Sequence, residues 1–181
     1  QGLDQLLDLA RDLPEASRGR IVLVGDGPRR EHLRERIVSE RISRVSLLPP
    51  VAREAVPAYL ATADAAVISL GSRLPGAVPS KIYEAMASSL PILLIGEGEA
   101  AYRVLEARCG LTVSPGDRAS LRSAFIKLAT DCSLRQTLGR NGRVAAESTY
   151  DRARIADRLD GLLRTLLAGA ASGAGEAPHS T

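Results

Sequence analysis

The sequence predicts a doubly wound α/β fold, a parallel sheet with helices on both faces, and three observations predict it. Short apolar runs such as Ile21–Val24 and Ile92–Ile95 have the continuous hydrophobicity of strands buried on both sides. They alternate with segments of helical periodicity, at a strand-to-strand spacing of about 20–25 residues. Glycine-containing turns, Gly25-Asp26-Gly27-Pro28 and Gly96-Glu97-Gly98, stand where strands give way to helices. Right-handed crossovers then place the helices on both faces.

Taken in order, Gly2–Leu13 carries Leu3, Leu6, Leu7 and Ala10 at helical spacing. Strand Ile21–Val24 leads through the Gly25–Pro28 turn to a polar helix over Arg29–Glu40. The two glycines fit either a tight turn needing positive φ or a ligand at the carboxyl end of a strand. Val45–Leu48 is the next strand, closed by Pro49-Pro50. A short helix over Ala55–Ala63 and a strand over Ala65–Leu70 follow, with Asp64 between them read as structural. The loop Gly71–Val78, containing Arg73, Pro75 and Gly76, reads as a pocket wall or a surface loop. A helix opens at Pro79-Ser80 and strand Ile92–Ile95 follows it. The next helix runs from the Gly96 turn to Cys109; Glu97 and Glu99 in its start suit the helix dipole, with contact to a ligand's hydroxyls as the alternative. Leu111–Val113 is the last strand. Asp117 or Ser120 caps a helix through Ala129, and further helices cover Ser133–Glu147 and Asp151–Ala168. The remainder, Gly169–Thr181, is rich in Gly, Ala and Ser and is expected to be a disordered tail.

Composition narrows the function. The chain has 181 residues, enough for one sizeable core, and a formal net charge of +3. Its basic residues are scattered, and all but Lys81 and Lys127 are Arg. With one Phe, four Tyr and no Trp, stacking platforms for nucleic acid are scarce, and no nucleic-acid partner is expected. Cys109 and Cys132 lie outside any metal-ligand spacing and are expected to be buried thiols. His32 is expected on an exposed helix and His179 in the tail, so no metal site or catalytic triad can be assembled. No apolar run reaches transmembrane length, and a cytoplasmic protein is expected.

The stretch Gly76–Gly96 carries the chemistry. Proline is tolerated in the first helical turn, where its missing N–H would be unpaired anyway. Ser80 is a good capping residue for that turn. Free amides and the positive end of the helix dipole make the helix start at Val78–Lys81 a site for phosphate. Glu84 follows one turn later, about 6 Å along the axis, where a carboxylate can accept two hydroxyl hydrogen bonds from a ribose diol. The Lys81 ammonium is either a counter-charge for a diphosphate or a solvated helix residue.

These residues resemble the donor-site motif of the group 1 retaining glycosyltransferases, in the C-terminal half of the two-domain GT-B fold. In that family a Glu, seven intervening residues and a second Glu straddle the helix start. Glu84 matches the second, which holds the nucleotide ribose; the first falls on Gly76. The Pro-Ser-Lys variant, Pro79-Ser80-Lys81, is similar to a bacterial polysaccharide and aminosugar transferase branch. The resemblance runs from Gly2 to about Leu166 and is best across Val78–Leu94, with a second match at Ile21–Pro28.

The resemblance implies transfer of a sugar from a nucleotide-sugar donor to an acceptor hydroxyl with retention. It implies a donor site made by Gly25, Gly27, Gly76, Val78, Ser80, Lys81 and Glu84, with no cofactor and no metal. It implies that backbone groups just after the Val45–Leu48 strand recognise the nucleobase. A strand, a basic loop and an N-terminal acceptor domain would precede Gln1. Residues 1–168 would then be the donor-binding half, inactive alone. A lipid-linked acceptor and a peripheral place at the inner face of the membrane stay open. Two other classes stay open as well: a nucleotide-sugar epimerase of the same architecture, and a non-catalytic nucleotide-binding module. A redox dinucleotide domain is disfavoured, because Gly25-Asp26-Gly27-Pro28 lacks the third glycine of that fingerprint.

Overall fold

The computed structural model describes residues 2–14, 17, 19–70, 76 and 78–173, with the side chains of the last helix described to 167. The elements, in chain order, are α1 (Asp4–Asp12), β1 (Ile21–Val24), α2 (Arg30–Ser39), β2 (Val45–Leu48), a 3-10 turn (Arg53–Ala55) and α3 (Val56–Ala61). Then come β3 (Ala66–Ser69), α4 (Ser80–Ala87), β4 (Ile92–Ile95), α5 (Glu99–Glu106), β5 (Gly110–Val113), α6 (Arg118–Thr130), α7 (Cys132–Ser148) and α8 (Arg152–Gly173). The α/β class and the order of elements are those the sequence predicts.

All strand pairs are parallel, but the sheet differs from the expected single one. β1 pairs with β2, and β3, β4 and β5 form a separate ladder in that order. Among the described residues no backbone ladder joins the two; side chains do. One apolar cluster takes Ile21 and Val45 from the first ladder and Leu93, Ile95 and Val113 from the second, with Leu6, Leu7 and Ala10 of α1 and Leu121 and Phe125 of α6. A second cluster on the opposite face takes Ile92 and Leu94 of β4 with Ile82, Ala85 and Met86 of α4, Val104 of α5 and Ala145 of α7. Successive β4 residues thus alternate between the two clusters, as the two-residue period of a strand requires. That is the doubly wound arrangement. It stops at β1, where Val22 and Val24 are 54% and 42% exposed.

The carboxyl ends of both ladders share one edge, and α1 shows it. The Gln5 Nε2 donates to the Ser69 Oγ at the end of β3 (3.3 Å), and the Gln5 Oε1 accepts from the Gly116 amide after β5 (3.5 Å). One residue earlier, Asp4 pairs with Arg29 (2.9 Å) and His32 (3.0 Å), which follow β1. The first turn of α1 therefore touches the segments beyond β1, β3 and β5 alike.

Two expectations about single residues change. Cys109 is fully buried in the second cluster, but Cys132 is the first residue of α7 and is exposed. α8 continues through Gly173, into the stretch read as tail, since the alanines after Leu167 are good helix formers. Residues 174–181, including His179, lie outside the described residues. Asp117 rather than Ser120 caps α6, its carboxylate accepting from the Ser120 amide at 3.0 Å. Asp64, read as structural, has an 86% exposed side chain 3.7 Å from Arg135.

Candidate functional site

α4 stands on the shared carboxyl edge, directly after β3 and its loop. Its inward face is fixed by Ile82, Ala85 and Met86, all at most 2% exposed. Helical spacing then turns Ser80, Lys81 and Glu84 outward together, and all three are exposed. The N-cap is Pro79, extended at φ −63° and ψ 138°, and no side chain caps the helix start. Ser80 is thus not the cap expected of it: as the first helical residue it donates its hydroxyl to the Glu84 Oε1 at 3.0 Å. Ser80 lies inside the helix because Pro79, with no N–H to give, takes the cap position. The consequence is an uncapped positive helix end next to a carboxylate that already accepts a hydroxyl.

Charge at this face is open to a ligand. Among the described residues Lys81 has no ion-pair partner, and neither has Glu84. By contrast the Arg36 guanidinium is tied down, bonding Asp4, Asp8 and Glu40 at 3.1, 2.7 and 2.6 Å. Burial works against ionisation of Asp4, but the hydrogen bonds from Arg36 and His32 and the charge of Arg29 outweigh it, holding that carboxyl below its usual range. Glu99 is held by Arg103 at 2.7 Å, so the reading of Glu99 as a first-turn acid of α5 stands and it faces its own helix.

The remaining residues named from the sequence divide in two groups. Val78 is half-buried and packs on the α4 cluster, so it anchors the loop; its side chain is not presented to the open edge. Gly76 turns at φ 75°, a conformation that favours glycine, and sits just before α4. Residues 71–75 and 77, with Arg73 and Pro75, lie outside the described residues. Across the same edge Gly25 stands at φ 138° and the Gly27 amide donates to the Asp26 carboxylate at 2.8 Å. Gly25 and Gly27 thus follow the carboxyl end of β1, and Gly76, Ser80, Lys81 and Glu84 follow that of β3. The structure also shows a residue the sequence reading passed over, Arg30, whose guanidinium spans the ends of β1 and β2. An arginine as first residue of a helix after a glycine turn was the only available clue.

Two hollows are found among the described residues. One of about 180 Å³ lies between α1 and α6, against Gln5, Asp8, Arg118 and Arg122. The other opens beside Ser89, Gln136, Arg140 and Arg143. Among the described residues no group of three His, Cys, Asp or Glu side chains converges as a metal site. No described helix is long and apolar enough to cross a membrane.

A parallel α/β domain of this kind is of the doubly wound class, which places ligands at the carboxyl ends of its strands. Comparison makes the class specific: the model of the glycosyl transferases group 1 family matches residues 1–145, and the chain belongs to that family. It is 31% identical over 84 residues to the capsular polysaccharide biosynthesis glycosyltransferase CapM of Staphylococcus aureus, covering 46% of this chain and 22% of CapM. In fold it is similar to sucrose-phosphate synthase from Thermosynechococcus elongatus, with a TM-score of 0.75 at 24% identity over 93% of this chain and 43% of that one. It is also similar to Anabaena Alr3699/HepE, solved in complex with UDP-glucose, with a TM-score of 0.73 at 23% identity over 91% of this chain and 45% of that one. The chain thus spans less than half the length of each of these proteins.

Proposed function

We propose that this chain is the donor-binding half of a retaining glycosyltransferase that takes a sugar from a nucleotide-sugar donor to an acceptor hydroxyl. One observation carries the reading: α4 presents an uncapped N-terminus, Lys81 and Glu84 on a single outward face at the carboxyl edge of the sheet. As the sugar departs, negative charge develops on the diphosphate, and preorganised donors there lower the barrier. The helix-start amides and the Lys81 ammonium supply such donors, with no metal ion in the scheme. Glu84 accepts the ribose hydroxyls one turn along. Gly25, Gly27 and Gly76 let backbone approach the donor closely. The acceptor site and any base belong to an N-terminal domain outside these residues, so this half binds nucleotide and does not transfer sugar.

The test is calorimetric titration of the protein with UDP, ADP and GDP, with inorganic pyrophosphate as competitor. UDP is the first probe because HepE is solved with UDP-glucose. One-to-one binding of at least one of them, displaced by pyrophosphate, supports the reading. Failure of all three to bind, or sugar transfer by this chain alone, refutes it.

A further inference from the structure

We propose that Arg30 is a positioning residue for the nucleobase, locking the ends of β1 and β2 into one rigid rim of the donor site; this rests on the donor-site reading above. The Arg30 Nη1 donates to the Gly25 carbonyl at 2.5 Å and to the Leu48 carbonyl at 2.8 Å. The same Leu48 carbonyl accepts the Gly25 amide at 3.3 Å, and the Arg30 amide donates to the Gly27 carbonyl at 3.0 Å. Side chain and backbone of one residue therefore close the Gly25–Gly27 turn at both ends. They also fasten it to the residue that enters Pro49-Pro50.

The turn needs that support. Gly25 sits at φ 138°, in a region entered at little cost only by glycine and therefore easily left by it. The charge of Arg30 is also placed unusually. Its neighbours Arg29 and Arg34 pair with Asp4 and Glu31, whereas no described carboxylate pairs with half-buried Arg30. A guanidinium is here kept from carboxylates and used on main-chain carbonyls at the ligand edge.

The rim that results suits a base. On the donor-site reading α4 takes the diphosphate and the ribose, which leaves the base for the loops across the edge. Pro49 and Pro50 have no N–H, so that segment offers only carbonyl acceptors, whose direction depends on how the strand end is held. A Cβ on Gly27 would meet nothing within 4 Å and its φ lies outside the left-handed range, so neither packing nor backbone calls for glycine there. Free space beside the turn is what an approaching ring requires.

The experiment compares wild type with Arg30→Met and Arg30→Lys by titration with UDP, ADP and GDP, alongside thermal melting. The Met variant is expected to bind the preferred nucleotide about tenfold more weakly, the size of one charge-assisted hydrogen bond. The spread of affinities among the three bases should narrow, because a loosened rim loses discrimination first. Arg30→Lys should restore part of the spread, since an ammonium can reach one of the two carbonyls. An equal loss for all three nucleotides, an unchanged spread, or a wild type without base preference overturns the proposal. If the wild type binds none of the three, the donor-site reading itself falls, and that is seen before any variant is compared.

Discussion

Replacing Glu84 by alanine separates a ribose ligand from an ordinary helix carboxylate. In the free protein Glu84 is exposed and makes one hydrogen bond, from the Ser80 hydroxyl at 3.0 Å. Accepting both ribose hydroxyls through charge-assisted bonds is worth about 2–3 kcal/mol. Releasing Ser80 to do so costs about 0.5–1 kcal/mol of that. The net loss in Glu84→Ala is then about 1–2.5 kcal/mol, roughly 5- to 70-fold in Kd for UDP. Stability should move by less than about 1 kcal/mol, because the site is solvated and alanine is the better helix former. The assay is a calorimetric cycle of wild type and Glu84→Ala against UDP and 2′-deoxy-UDP. The deoxy ligand should lose part of the affinity in wild type and little more in the variant, its partner being already gone. Ser80→Ala, which frees the Glu84 Oε1, should bind UDP no more weakly than wild type. Equal losses for the two ligands, or unchanged binding in Glu84→Ala, would refute the placement of the ribose.

Three further outcomes follow from the packing and the charges. A Cβ on Gly139 would lie 2.1 Å from the Ser89 carbonyl oxygen, so Gly139→Ala should destabilise by about 1–3 kcal/mol in chemical denaturation, the range for overpacking; a change near zero would mean that α7 can move away. Burial pushes the Cys109 thiol up to about 11, so at pH 8 a thiol reagent should label exposed Cys132 quickly and Cys109 only on unfolding, as peptide mapping would show. The Asp4 carboxyl is held below its unfolded value of about 3.9, so its contribution is full above that value and is lost as pH falls through the lower folded pKa. Arg36→Met should flatten stability against pH across that acid range, and an unchanged acid limb would show that Arg36 is not what depresses Asp4.

Much of the fold was legible because the local rules agreed with one another. The strands Ile21–Val24 and Ile92–Ile95 are apolar on both faces, and the structure begins and ends them at those residues. The division into two ladders was not legible: strand pairing is a long-range property, and nothing in Ile21–Val24 or Ala66–Ser69 says which neighbour an edge will find. At the site, the outward placement of Lys81 and Glu84 followed from helical spacing once α4 was located. The role of Ser80 did not follow, since Pro-Ser serves equally as N′ and Ncap or as Ncap and N1, and one residue of phase decides it. Arg30 was invisible for a different reason. Its partners are main-chain carbonyls, which every residue carries, so they leave no trace in the side chains around it. Cys132 is exposed at the first residue of α7, a placement its own sequence neighbourhood does not fix.

Holding α4 so that one face can read a ligand places a demand on its other face. That face meets α7 at the two buried glycines of α7, Gly139 and Gly142. A Cβ on Gly142 would come within 3.3 Å of the Met86 backbone, and one on Gly139 within 2.1 Å of the turn after α4. Without side chains at these two points the helices approach nearly backbone to backbone, where small displacements clash and few alternative positions exist. Tyr83, between Ile82 and Glu84, adds a tilted ring contact to Tyr150 at 4.8 Å, just past the end of α7. Arg143 of α7 closes the far end by donating to the Ala87 carbonyl. The helix that offers Lys81 and Glu84 is thus held along its length by contacts it does not need for its own stability, since eight residues would be marginal as an isolated helix. A ligand arriving at its exposed face meets groups already in place, and little of the binding energy has to be spent on ordering them.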